Sequence, residues 1–231
     1  MKLKSILSLI IVSLIIIGCN NPKNSESFIK KTTGRYLYNS DELIEVYFKE
    51  NVLFLKWRGA TEIKPLKVND DTFFVKEMNE KIQFLTNPSD GKEYIVLVPK
   101  EKEKAIIYNY KKLEEDEKIP SEYLKNAEYS KALQGYLAIQ KKDSLDSAIK
   151  ESNFNSFGYK ELRNKNFEKA IQIFSINVAL YPNSSNVYDS LGEAYMKSGD
   201  TINAINNYKK SLALDSGNKR AKRNIKRLEK K

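Results

Sequence analysis

Residues 151–218 repeat on themselves. Sliding the chain by 34 positions superimposes Phe154 on Tyr188, Phe157 on Leu191, Gly158 on Gly192, Ala170 on Ala204 and Phe174 on Tyr208. Such a period constrains the fold more than composition does, because each copy buries its apolar face only against a neighbouring copy. Phe167, Ala170, Ile171, Phe174 and Val178 fall at i, i+3, i+4, i+7 and i+11, which is an apolar helical stripe. Thr201, Ala204, Ile205, Tyr208 and Leu212 repeat the spacing. Asn166 and Asp200 stand where N-caps of these helices are expected.

This pattern resembles the tetratricopeptide repeat, in which small residues lie where two helices cross. Gly158 and Gly192 would allow the close approach, and Ala170 and Ala204 would fill the matching contact. The unit 185–218 matches well. The unit 151–184 departs where Glu161 stands opposite Tyr195, although Leu162 beside it supplies bulk; Pro182 closes this unit, whereas Ser216 stands at the corresponding place in the next. Two units rarely suffice, and the flanks offer more: Tyr129, Ala132, Leu133, Tyr136 and Leu137 upstream, and a sparse Ala221, Ile225, Leu228 stripe on a basic segment downstream.

The resemblance implies that the first helix of each unit lines a concave groove. Candidate partner-binding residues are then Asn155, Tyr159 and Arg163 in one unit, and Asn186, Asp189, Glu193 and Lys197 in the next. The plainer reading makes Asp189 a complement to the positive end of its helix and the others solvated surface. The two Lys and one Asn of a carboxylate clamp do not match these positions, so capture of a peptide C-terminus is not expected.

Upstream, eight short runs rich in aromatic and β-branched residues recur at 34–38, 43–49, 52–58, 61–68, 72–78, 81–86, 93–98 and 104–110. Gly59, Asn69-Asp70-Asp71, Asn79 and Pro88-Ser89-Asp90-Gly91 separate them with turn chemistry. Short connections predict antiparallel neighbours closing into a curved sheet or small barrel. In the third run Leu53, Leu55 and Trp57 share a face, and in the seventh Tyr94, Val96 and Val98 do. The stretch from Gly34-Arg35-Tyr36 through Asp71-Thr72-Phe73-Phe74, Ile82-Gln83-Phe84 and Asp90-Gly91-Lys92 resembles a lipocalin-like β domain. Such a barrel either holds a small apolar ligand or is filled by its own side chains.

Asn153 to Tyr159, Tyr181 to Ser184 and Tyr188 to Tyr195 extend the resemblance. Together the two halves are similar to the accessory region of bacterial envelope β-lactamase-like serine hydrolases, without the catalytic domain. Those enzymes use a Ser-x-x-Lys nucleophile. Ser27-Phe28-Ile29-Lys30 and Ser147-Ala148-Ile149-Lys150 fit that spacing, but neither has the surroundings that lower a lysine pKa and build an oxyanion hole. With no His and a single Cys, imidazole relays, imidazole metal ligands and disulfide frameworks are excluded. No enzyme activity, cofactor or metal site is expected.

The start of the chain reads as an address. Lys2 and Lys4 precede an apolar run from Ile6 to Ile17, too short to span a bilayer comfortably but suited to a signal peptide. Ile16-Ile17-Gly18-Cys19 resembles the bacterial lipobox, which implies a lipidated Cys19; stable anchoring takes more than one acyl chain. Asn20 to Glu26 are polar and read as a spacer, and Asn20 rather than Asp favours the outer membrane by resemblance to enteric sorting rules. Residues 217–231 hold eight Lys/Arg against Glu229, most of the formal net charge of +10. The near-neutral body argues against nucleic-acid binding. The basic end either meets anionic lipid or solubilises a capping helix.

The expectation is an α+β chain: an N-terminal antiparallel β-meander or small barrel-like domain, then an all-α tetratricopeptide-type helical array. Its parts are a lipoprotein signal peptide (1–18), a lipidated tether (19–32), the β domain (33–115), flanking helices (121–150), two repeats (151–218) and a basic capping helix (219–231). The expected function is that of a non-catalytic envelope lipoprotein acting as a protein–protein adaptor, with a small apolar ligand carrier as the alternative. The expected partners are the membrane, through acylated Cys19, and an envelope protein, a serine hydrolase being one candidate.

Overall fold

The computed structural model describes residues 23–101 and 104–230. The expected signal peptide and Cys19 lie outside the described residues. The chain divides into two compact units: one runs through Tyr36 and over Ile44–Lys112, and the other takes Leu37–Leu43 and everything from Leu113.

The first unit opens with α1 (Glu26–Thr32), followed by β1 (Gly34–Asn39), β2 (Glu42–Lys49), β3 (Val52–Trp57) and β4 (Ala60–Ile63). Then come β5 (Leu66–Lys67), β6 (Thr72–Val75), β7 (Glu80–Thr86), β8 (Glu93–Leu97) and β9 (Tyr110–Lys112). They form one nine-stranded sheet in the order β4-β3-β2-β1-β9-β8-β7-β6-β5. The sheet is therefore not a plain meander, since β9 returns to lie between β1 and β8. Its two edges, β4 and β5, are consecutive in sequence, as in a curled half-barrel.

Local chemistry sets the hairpins. Glu50 and Asn51 both take positive φ between β2 and β3, as do Arg58 and Gly59 between β3 and β4, the primed-turn conformation that matches strand twist. Asn69 Oδ1 accepts from the backbone N–H groups of Asp71 and Thr72. The predicted run 61–68 splits at Lys64-Pro65, because proline cannot donate to a ladder. The run 104–110 is strand only from Tyr110 onward; Ile106 and Ile107 stay exposed. Apolar side chains alternate inward on Ile44, Val46, Leu53, Leu55, Phe73, Ile82, Phe84 and Ile95. Trp57 is only half-buried, and Val96 is buried on the face opposite to Ile95.

The 19–32 tether needs correction. Residues 26–32 are helical, capped by Ser25, whose side chain accepts from Phe28 N. Phe28 packs against Phe48, Phe73 and Phe84 with ring centroids 6.1, 5.9 and 5.5 Å away. Tyr36 Oη donates to Thr32 O at 2.9 Å. Asn24 is fixed as well, donating through both N and Nδ2 to Asn51 O. The physical reason is burial: one phenylalanine placed over an aromatic cluster outweighs a polar local composition.

The second unit is helical: α2 (Pro120–Lys125), α3 (Tyr129–Lys142), a 3-10 turn (Ser147–Ile149), α4 (Glu151–Arg163), α5 (Phe167–Leu180), α6 (Ser185–Ser198), α7 (Thr201–Leu214) and α8 (Lys219–Leu228). The pairs α4/α5 and α6/α7 stand 34 residues apart, and α8 opens where a third unit would begin. This is a tetratricopeptide-type array. A Cβ on Gly158 would come within 2.5 Å of the Phe174 ring, and one on Gly192 within 3.0 Å of Tyr208. Ala170 and Ala204 are fully buried. Asp200 caps α7 by accepting from Asn203 N. Asn166 occupies the cap position of α5 without that bond, donating instead to Glu161 Oε2 at 2.8 Å.

Candidate interaction site

The first helices of successive units, α4, α6 and α8, each present polar residues to the next. Arg220, on the first turn of α8, is the hub. Its Nε donates to Asp189 Oδ2 at 2.6 Å, with Nη2 on the same oxygen. Its Nη1 donates to Glu193 Oε2 at 2.8 Å, and Nη2 also reaches Tyr159 Oη at 3.1 Å. Tyr159 Oη in turn donates to Glu193 Oε2 at 3.2 Å and lies 3.3 Å from Ser190 Oγ. A planar, multi-donor guanidinium suits such a three-way contact where an ammonium would not. Burial disfavours the Arg220 charge, yet its hydrogen bonds to Asp189 and Tyr159 outweigh that and raise its pKa. Burial, followed by the neighbouring Glu193 and Asp189 charges, also raises the Tyr208 hydroxyl.

Of the seven expected partner-binding residues, the structure brings Tyr159, Asp189 and Glu193 into this one cluster. Asp189 is 5% exposed. Asn186 Nδ2 donates to Glu151 Oε1 at 2.8 Å, a second link from α6 to α4. Lys197 lies 3.8 Å from Glu193 and is otherwise on the surface, as is Arg163. Asn155 is half-buried, with an Oδ1 that accepts no hydrogen bond. The cluster has the chemistry of a lock: two carboxylates close on one guanidinium and a phenol.

Sequence reasoning grouped Arg220 with a basic tail and so missed it. The signal was available in the repeat frame. Position 220 is in register with Asn186, so its side chain comes from a first helix and faces the preceding first helix.

A cavity of about 580 Å³ opens within the helical unit, among Asp41, Leu124, Tyr136, Phe157, Lys160 and Ile173. Asp41 Oδ2 accepts from Tyr136 Oη at 3.0 Å, and Oδ1 accepts from Ser121 N at 2.7 Å. Burial nonetheless pushes the Asp41 carboxyl up to about 6. Phe157 is 49% exposed on this cavity, whereas its repeat partner Leu191 is 6% exposed. Of the Ser-x-x-Lys pairs, Ser27 sits exposed on α1 and Ser147 in the 3-10 turn. Among the described residues no three His, Cys, Asp or Glu gather in a way that would hold a metal ion.

The fold thus defines a two-unit α+β protein, with a curled sheet preceding a tetratricopeptide-type array. No protein-family model matches the chain. A stretch of 60 residues is 38% identical to Superkiller protein 3 of Schizosaccharomyces pombe, spanning 26% of this chain and only 4% of that protein. Among solved structures, the first TPR of Spaghetti (RPAP3) bound to an HSP90 peptide is 20% identical, with 48% of this chain and 85% of that one covered at a TM-score of 0.35. The Sgt2 TPR domain from Aspergillus fumigatus is 18% identical, covering 48% and 72% at the same score.

Proposed function

We propose that this protein is a non-catalytic adaptor of the bacterial cell envelope, anchored by lipid on Cys19 and binding a partner protein on its helical array. The observation that carries the reading is the bonded row of first helices. Tyr159 and Glu151 on α4, Asp189, Glu193 and Asn186 on α6, and Arg220 on α8 fasten three successive helices into one preorganised face. A rigid face loses little conformational freedom on binding, which favours its use as a docking platform. The accessory-region resemblance makes a serine hydrolase acting in trans one partner to look for.

The lipid anchor follows from the lipobox-like sequence. With Asn24 fixed, four residues separate it from Cys19, and the five backbone steps between the two reach at most about 18 Å. The sheet would then stand close against the bilayer. Phe28 and its three ring partners take up the space beside the sheet, which favours a filled scaffold over the small-ligand carrier.

The test is a crosslinked pull-down from envelope extract with the residue 20–231 ectodomain as bait. The comparison bait carries Arg163→Glu, Asn186→Ala and Lys197→Glu, exposed first-helix positions outside the Arg220 lock. A protein held by the first bait and lost by the second identifies partner and surface together. Equal capture by both baits rules this face out.

A further inference from the structure

Helix α8 turns Arg220 and Arg227 toward α6, onto Asp189 and Met196, and carries a stripe of cations on another face. At about 100° per residue, Lys219, Lys222, Arg223 and Lys226 fall within an arc of about 100°, opposite Ala221 and Leu228, which are buried. All four are exposed, and none forms an ion pair with a described residue. The acid of this segment, Glu229, is taken by Lys209 at 3.2 Å.

The stripe works against its own helix. Lys219 and Lys222 crowd the N-terminal turn, where the macrodipole is already positive and no acidic residue stands. Lys219 with Arg223 and Lys222 with Lys226 are like-charged pairs at i and i+4, a spacing that destabilises. A capping helix needs only a polar outer face, and mixed signs would provide one without this cost. An external negative surface adds an attraction to each of these cations and so offsets the repulsion among them.

We infer that the Lys219–Lys226 stripe is a docking surface for an anionic phospholipid bilayer. The apolar face of α8 is spent inside the array, on Ala221, Ile225 and Leu228, so the helix has nothing to insert among acyl chains. Contact is electrostatic and peripheral, made to headgroup phosphates. The choice of a bilayer over other polyanions rests on the lipid anchor proposed above, which would hold the chain beside such a surface. An anchor and a polybasic patch together give the two-signal attachment that one weak signal does not.

The experiment uses the unlipidated residue 20–231 chain, so a failure of the anchor reading does not affect it. Binding is measured to phosphatidylcholine vesicles with and without about 30% phosphatidylglycerol, at about 0.05 M and 0.3 M salt. The expected result is binding to the anionic vesicles alone, lost at the higher salt. Lys222→Gln, Arg223→Gln, Lys226→Gln should weaken it about a hundredfold, at roughly fivefold per cation. A control, Lys30→Gln, Lys141→Gln, Lys142→Gln, makes the same charge change at exposed residues elsewhere and should bind as the parent does. Circular dichroism confirms that each variant folds. Equal weakening by the control would show net charge rather than a site and overturn the proposal. So would binding to uncharged vesicles, or tighter binding to duplex DNA at matched salt.

Discussion

Arg220 donates through Nε to Asp189 Oδ2 at 2.6 Å, joining α8 to α6 across 31 residues of sequence. The bond spans two repeat units, so it belongs to the array and not to one helix pair. Removing the guanidinium leaves Asp189 enclosed with its charge unanswered, which costs more than a surface pair would. The Arg220 side chain is 39% exposed, so solvent screening keeps the loss modest. Arg220→Met is expected to lower stability by about 1–2 kcal/mol, read as a lower urea midpoint. Asp189→Asn in the same chain should recover part of it, giving a coupling term in a double-mutant cycle. Additive effects would show that the bond carries no stability.

Gly158 and Gly192 occupy equivalent sites but are not equally tight. A methyl group at Gly158 meets Phe174 Cε1 and Cζ at 2.5 Å, a frank overlap with a fully buried ring. At Gly192 the nearest approach is 3.0 Å, which a small ring shift relieves. Alanine gains about 1 kcal/mol of helix propensity over glycine, while overpacking costs about 1–3 kcal/mol. Gly158→Ala should therefore destabilise the helical signal, and Gly192→Ala should be near neutral. Phe174→Leu, which removes the offending ring atoms, should make Gly158→Ala less harmful than it is in the parent. Equal effects at the two glycines would refute the distance argument.

The repeat made the helical half legible, because a 34-residue period states contacts twice: Gly158 with Phe174 is restated by Gly192 with Tyr208. Hairpins were legible where turn chemistry is local, as at Arg58-Gly59 and Asn69. Three features were not. Helix α1 is seven residues long, too short for periodicity, and its place depends on one aromatic ring meeting strands far along the chain. The 104–110 run has strand composition, but Ile106 and Ile107 find no ladder and stay in solvent. Arg220 looked like its basic neighbours, since nothing in local sequence separates an inward cation from an outward one. Only the repeat register does.

Phe28 gives the polar start of the chain a structural duty that can be measured on its own. The single Trp of the chain, Trp57, lies in β3, so its fluorescence reports the β unit, while far-UV circular dichroism is dominated by the helices. Phe28→Ala removes a ring from contact with Phe48, Phe73 and Phe84, and such truncations cost about 3–5 kcal/mol when fully buried. Phe28 is half-buried, so about 2–3 kcal/mol is expected. The Trp57 transition should move to lower urea well ahead of the helical one. An unmoved Trp57 transition would return residues 26–32 to the role of a passive spacer.

Asp41 predicts a pH dependence of the helical unit. Its carboxyl titrates at about 6 in the folded chain against an ordinary value of 3.8, with burial as the leading cause and the bonds from Ser121 and Tyr136 opposing it. Between those two values the folded chain binds a proton that the unfolded chain has released. Linkage then requires stability to fall as pH rises from about 4 to about 6, and to be level on this account above and below that window. Asparagine keeps an acceptor for Ser121 N and a partner for Tyr136 Oη without the charge. Asp41→Asn should match the parent near pH 4 and exceed it near pH 7. Urea midpoints of the two chains across this range give a difference curve with its step between pH 4 and 6. Parallel curves would mean that Asp41 ionises in the fold as it does in solvent.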